Sequence, residues 1–173
     1  MGRSRKIGLT SSRFRRKILN LFTINYMLIG EHQHTFDDKG RISLPAKFRK
    51  ELGSTVVIAP GIDNCLFVFT VKEWNTFANR LSTNDNASML RTDNRNFNRL
   101  IIGRAVETTV DSIGRILVPE HLRQHAGLNT DATIIGVMNR LEIWNADVWS
   151  AYRAEFGKKT DVIAEKLAGA GVI

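Results

Sequence analysis

Asp37-Asp38-Lys39-Gly40-Arg41-Ile42-Ser43-Leu44-Pro45 recurs further along the chain as Asp111-Ser112-Ile113-Gly114-Arg115-Ile116-Leu117-Val118-Pro119. An Asp, a Gly, an Arg, two apolar residues and a Pro keep the same spacing in both copies. The match continues at the same offset, pairing Phe48-Arg49 with Leu122-Arg123 and Gly53 with Gly127. One residue of extra length then intervenes, after which Leu66, Phe69 and Trp74 match Leu141, Trp144 and Trp149. The repeat is too long for a solenoid unit and too short for two ordinary domains. Two such halves are expected to complete one fold between them, with paired loops related by a pseudo-two-fold axis. Paired loops that each carry an Arg suit a reader of double-stranded DNA.

Each copy reads alike in local structure. Glu31 to Phe36 is a short mixed strand. Asp38-Lys39-Gly40 is turn chemistry, because glycine takes a positive φ without steric cost. Arg41 to Leu44 alternates polar and apolar, as a half-buried strand does, and the two strands are expected to form a β-hairpin with Arg41 just past its tip. Pro45 suits the first turn of a helix. Phe48 and Leu52 then share one helical face, and Gly53 ends the helix. Strands follow over Val56 to Ala59 and Cys65 to Phe69, then an amphipathic helix from Lys72 to Leu81 with Trp74, Phe77 and Leu81 inward.

The second half gives strands over Val106 to Val110, Arg115 to Val118, Ala132 to Val137 and Leu141 to Trp144. Its helices run from Pro119 to Ala126 and from Ala146 to Phe156, the latter carrying Val148, Trp149 and Tyr152. Between the halves, Ser82 to Ala87 reads as a polar loop and Met89 to Ile102 as a helix; Lys159 to Ala168 reads as a weak C-terminal helix. The expected organisation is a basic extension over 1–26, one repeat over 31–76, a connecting helical segment over 77–104, a second repeat over 105–148 and a helical tail over 149–173.

Charge is concentrated at one end. The chain of 173 residues has 25 Lys and Arg against 17 Asp and Glu, a formal net charge of +8. Arg3, Arg5, Lys6, Arg13, Arg15, Arg16 and Lys17 precede every acidic residue, and without them the remainder is nearly neutral. Any case for DNA binding by the repeats rests on where their charge sits. Residues 1–26 are expected to be disordered, or not part of the native chain, with Met27 as the start. Specific recognition is expected to survive their removal, while non-specific binding weakens and its salt dependence flattens.

The Asp-x-x-x-Arg loop carries the functional argument. Asp bonds its own backbone and Gly takes the unusual dihedrals, so both serve the turn. Arg does not serve it. Its planar fork of donors fits phosphate oxygens, or guanine O6 and N7 in the major groove. Arg41 and Arg115 are therefore the candidate DNA-binding residues, with Lys39, Gly40 and Gly114 beside them. Asp37 and Asp111 are expected to orient the loops. The tips are unequal, because Ile113 stands where the first copy has Lys39. Lys47, Arg49 and Lys50, and His121, Arg123, Gln124 and His125, follow the loops, and a solvated helix face explains them equally well.

Enzyme readings find little support. His121 and His125 have a metal-compatible spacing, but Leu122 stands where a glutamate would be expected. His32 and His34 alternate along one strand. No P-loop, dinucleotide fingerprint or Ser-His-Asp pattern occurs. Neither cofactor nor small-molecule substrate is expected. The single Cys65 lies in an apolar run and reads as a buried small hydrophobe in a reducing cytosol. No apolar run approaches the ~18 residues of a membrane helix.

At these residues the chain resembles the MraZ family of bacterial transcriptional regulators. The markers are the loops Asp37/Arg41 and Asp111/Arg115, the segment Asn98-Arg99-Leu100-Ile101-Ile102-Gly103, and Leu122-Arg123-Gln124-His125-Ala126-Gly127-Leu128. The resemblance runs from about Met27 to Phe156. It implies an α+β fold of two tandem SpoVT/AbrB-type half-barrels, forming a pseudo-two-fold swapped-hairpin β-barrel with flanking helices. It implies a ring-shaped homo-oligomer in the cytoplasm, on the nucleoid. It also implies binding to direct repeats upstream of the chain's own operon, in the division and cell-wall gene cluster, usually as a repressor. The alternatives are a structural or protein-binding ring, and an AbrB-like antitoxin.

Overall fold

The computed structural model describes residues 27–83 and 91–172. The expectations for residues 1–26, and for Asn84 to Leu90 before the connecting helix, lie outside them. In chain order the elements are β1 (Leu28–Thr35), β2 (Arg41–Ser43), α1 (Ala46–Leu52), β3 (Thr55–Pro60), β4 (Leu66–Thr70), α2 (Val71–Thr83) and α3 (Thr92–Ile101). The second half supplies β5 (Val106–Thr109), β6 (Arg115–Leu117), α4 (Glu120–His125), β7 (Asp131–Met138), β8 (Arg140–Asn145), α5 (Ala146–Gly157) and α6 (Thr160–Gly169). The mixed α+β composition matches the sequence reading, and most boundaries fall within a residue or two of it.

The strand pairing departs from the expected local hairpins. Six strands form an antiparallel sheet in the order β1-β7-β8-β4-β3-β5, and β2 pairs with β6 in a second, two-stranded sheet. Between β1 and β2 a single bridge, Phe36 to Ile42, replaces the hairpin ladder. β1 instead runs its whole length along β7, from Leu28 opposite Met138 to Thr35 opposite Asp131. In the same way β5 pairs with β3, from Thr55 opposite Thr109 to Ile58 opposite Val106. The first strand of each half thus joins the third strand of the other.

The reason is burial. A lone two-stranded hairpin is marginally stable in water. Facing β2 with β6 places Ile42 directly opposite Ile116, and both are fully buried. They join Leu44, Phe48, Val56, Leu66, Leu122, Ile134 and Leu141 in one core built from both halves. Neither half contains enough apolar surface to close that core alone.

The central strands serve two cores. Leu66 and Val68 of β4 and Leu141 and Ile143 of β8 point into the shared core. Phe67, Phe69 and Trp144 on the opposite face join Cys65 and Ile135 in a second cluster, against Trp74 and Phe77 of α2 and Trp149 and Tyr152 of α5. Burial on both faces is why β4 reads as a nearly unbroken apolar run, and in β8 only Glu142 interrupts one. The repeat survives in the packing: Phe69 meets Trp74 at 5.8 Å between ring centroids, and Trp144 meets Trp149 at 5.3 Å. Within this cluster the Glu142 carboxylate accepts from Arg140 and from the Trp144 indole N–H.

The helices that position the loops are short. Pro45 and Pro119 stand just before α1 and α4, one residue outside the first turn expected for Pro45. Phe48 and Leu52 of α1, and Leu122 of α4, are buried. Gly53 takes φ +76°, as its place after α1 requires. At the start of α5, Asn145 accepts from the Asp147 and Val148 N–H groups, but Val148 itself is exposed. No helix among the described residues is long and apolar enough to cross a membrane.

Candidate nucleic-acid interface

The two Asp-x-x-x-Arg loops have the same internal geometry. In the first, Asp37 N donates to Arg41 O at 2.9 Å, and Gly40 N donates to Asp37 O at 2.9 Å. Asp37 Oδ1 accepts from Lys39 N at 3.0 Å and Arg41 N at 2.9 Å. Asp37 Oδ2 accepts from Arg41 Nε at 2.7 Å. In the second, Asp111 N donates to Arg115 O at 2.8 Å, and Gly114 N donates to Asp111 O at 2.9 Å. Asp111 Oδ1 accepts from Ile113 N at 3.1 Å and Arg115 N at 2.8 Å, and Oδ2 accepts from Arg115 Nε at 2.8 Å. Gly40 and Gly114 take φ +74° and +84°, which closes both turns.

Each Asp therefore does two things with one carboxylate. One oxygen ties the turn, and the other holds the guanidinium by its Nε. The backbone N–H of Arg41, followed by its side chain and the Lys39 N–H, holds the Asp37 carboxyl below the usual carboxylate range. The Arg115 N–H, its side chain and the Ile113 N–H do the same for Asp111. Engagement through Nε keeps the Nη1 and Nη2 groups of each guanidinium out of the contact with its own loop's Asp, and such a pair of donors matches a phosphate or a guanine edge. The loops also touch: Arg115 Nη1 reaches Asp37 Oδ2 at 3.5 Å. β2 and β6 bring the loops together, so the candidate residues form one surface. Lys39 and Ile113 are both exposed at its tips.

Arg49 and Arg123 gain a place that the sequence left open between charge and solvated face. Both are half-buried, and each lies against the glycine of the opposite loop. Their matched positions in the repeat, each next to a buried residue, were the available signal. Lys47 turns elsewhere, and its Nζ donates to Ile29 O at 3.0 Å. Burial, together with the charges of His32 and Arg49, pushes the His34 imidazole below its ordinary range.

The other reactive side chains are occupied with structure. His121 Nε2 lies 3.3 Å from Arg104 O, and His125 Nε2 lies 3.2 Å from Gly61 O. His32 packs edge-on against Phe48. Among the described residues no group of three or more His, Cys, Asp or Glu gathers to hold a metal ion. Cys65 is buried, and its Sγ donates to Ile62 O at 3.0 Å. Burial, aided by Glu142 and Asp63, pushes its thiol far above the ordinary range.

Comparison with known proteins gives a consistent result. The family described as "MraZ protein, putative antitoxin-like" matches residues 27–97 and 101–168. A protein from Caldanaerobacter subterraneus subsp. tengcongensis, named "Transcriptional regulator MraZ", is 46% identical over 142 residues, covering 82% of this chain and 94% of that relative. A Thermoanaerobacter protein of the same name is 44% identical over 142 residues, with the same coverage. One from Caldicellulosiruptor saccharolyticus, also of that name, is 41% identical over 146 residues, covering 84% of this chain and 100% of its own length.

Proposed function

We propose, from the premise that this chain belongs to the MraZ family of transcriptional regulators, that it recognises double-stranded DNA through its paired loops. Regulation of transcription is the activity class of the family, and it is not an enzyme class. Arg41 and Arg115 are the residues that contact DNA, assisted by Lys39, while Gly40 and Gly114 shape the turns that present them. Asp37 and Asp111 hold the guanidinium groups in position. The single observation that carries this reading is the duplicated geometry, in which the carboxylate of each loop grips its own Arg by Nε and not by the Nη pair. A turn alone has no use for that arrangement.

The finer architecture is a pseudo-two-fold swapped-hairpin β-barrel of two SpoVT/AbrB-type repeats, over 31–76 and 105–148. The connecting segment is 77–104, the C-terminal tail is 149–173, and residues 1–26 precede the repeats. Support for it comes from the exchanged pairings β1–β7 and β3–β5 and the central β2–β6 pair. One loop pair touches few base pairs and binds weakly. A ring-shaped homo-oligomer that presents several pairs to direct repeats gains affinity through effective concentration. Exposed Leu100 of α3 and Val162, Ile163 and Leu167 of α6 form apolar surface suited to subunit contacts. The biological role is repression of the chain's own operon in the division and cell-wall cluster, on the nucleoid.

A binding assay tests the reading. The full chain is titrated against the DNA upstream of its own operon and against a scrambled duplex of equal length. A clear preference for the upstream DNA is expected. Equal affinity for both duplexes would remove the proposal.

A further inference from the structure

Each loop is held by the opposite half of the molecule. Gly40 and Gly114 sit at turn tips, yet both are buried. Arg49, on α1 of the first half, covers Gly114, and a Cβ at that glycine would overlap its Nε, Cζ and Cδ atoms. Arg123, on α4 of the second half, covers Gly40, where a Cβ would meet its Cζ and Nε at 3.1 Å. The backbone follows the same crossing. Leu44 N donates to Gly114 O at 2.8 Å, and Val118 N donates to Gly40 O at 3.0 Å. Arg49 Nε donates in turn to Leu44 O at 2.8 Å. This closes a circuit from α1 through the residue after β2 to the opposite loop. Arg123 Nε is buried without a hydrogen-bond partner, so its hold on Gly40 is through packing.

We propose that Arg49 and Arg123 are positioning residues, each fixing the recognition loop of the other half rather than donating to DNA. The proposal rests on the DNA-reading function assigned above to Arg41 and Arg115. Two observations separate the two classes of arginine. The guanidinium of Arg49 spends its Nε on a backbone carbonyl of its own half and lays the rest of the side chain on Gly114. Arg41 and Arg115 give their Nε to an acid within the loop itself. A flat guanidinium lies against a glycine backbone as an ammonium on a flexible stem does not. Gly40 and Gly114 are therefore required twice, once for their positive φ and once for the space that the opposite arginine fills. The crossing couples the loops, so a change in α1 is felt around Asp111 to Arg115.

Hydrogen exchange read by mass spectrometry on the full chain without DNA tests this directly. Arg49→Ala is expected to accelerate exchange in peptides covering residues 111–115 and to leave those covering 37–41 close to wild type. Arg123→Ala is expected to give the reverse. Arg49→Lys and Arg123→Lys keep the charge with less disturbance and should reproduce the crossed pattern in weaker form. A second arm measures operator affinity against salt. A positioning residue lowers affinity several-fold at unchanged slope, whereas loss of a phosphate contact flattens the log–log slope by about 0.9. Faster exchange in the variant's own loop, or in both loops equally, would overturn the crossed brace. So would a flattened salt slope with exchange unchanged, which would make these arginines DNA contacts. The exchange arm needs no DNA, so it decides the brace separately. Wild-type protein that cannot tell operator from scrambled DNA would count against the reading function, not against this crossing.

Discussion

Ile42→Ala and Ile116→Ala, singly and together, test whether the two halves are one folding unit. Both residues are fully buried and stand directly opposite each other across β2 and β6. Truncating a buried Ile to Ala costs about 2–5 kcal/mol, part from lost transfer energy and part from the cavity. A domain of this size has a total stability of about 5–15 kcal/mol, so each variant should remain folded but lose a large share. Contacting residues do not behave independently, and the double variant should depart from additivity by about 0.5–3 kcal/mol. The assay is urea unfolding at fixed protein concentration, followed by tryptophan fluorescence. Trp74, Trp144 and Trp149 all belong to the second cluster, away from the substitutions. If the core is shared, a single transition seen from that distant cluster moves to lower urea in each variant. Two resolved transitions would refute the reasoning, as would a tryptophan signal indifferent to both substitutions.

The loop carboxylates should titrate low. Their folded values lie below 3.8, so their contribution to loop stability is complete above pH 3.8 and is lost as pH falls through the lowered folded value. Carboxyl carbon shifts of Asp37 and Asp111 followed by NMR check this, and a midpoint at or above 3.8 would contradict it. Cys65 should resist alkylation in the native protein and react fully in denaturant, because its thiol is buried and bonded to Ile62 O; rapid native labelling would show that the second cluster opens. Light scattering should give a mass several times 19.5 kDa, and a clean monomer at working concentration would remove the ring.

The internal repeat made the loops legible before any geometry was known. Asp37, Gly40 and Arg41 announce a turn plus a residue the turn does not need, and the second copy removes coincidence. Helix α1 was readable to within a residue, because Phe48 and Leu52 share a face and Gly53 stops it. Strand partners were not readable. Glu31 to Phe36 is short and mixed and names no particular neighbour, and the turn after it points to a local hairpin. The β1–β7 ladder goes with a core drawn from both halves, Ile42 opposite Ile116 included, and such a core is a property of the whole chain. The same holds for Arg49 and Arg123. Their charge was visible in the sequence, but their place over Gly114 and Gly40 depends on the crossing of the halves.

Operator binding by the Arg41→Ala, Arg115→Ala double variant tests the central claim most directly. A bidentate contact from Arg to a base is worth about 1–3 kcal/mol, and each 1.4 kcal/mol is about tenfold in affinity. Loss of both forks should lower operator affinity by at least about tenfold, with the far-UV spectrum and the assembly mass unchanged. The preference for operator over scrambled DNA should fall with it. A double variant that assembles normally and binds the operator as tightly as wild type would contradict the account.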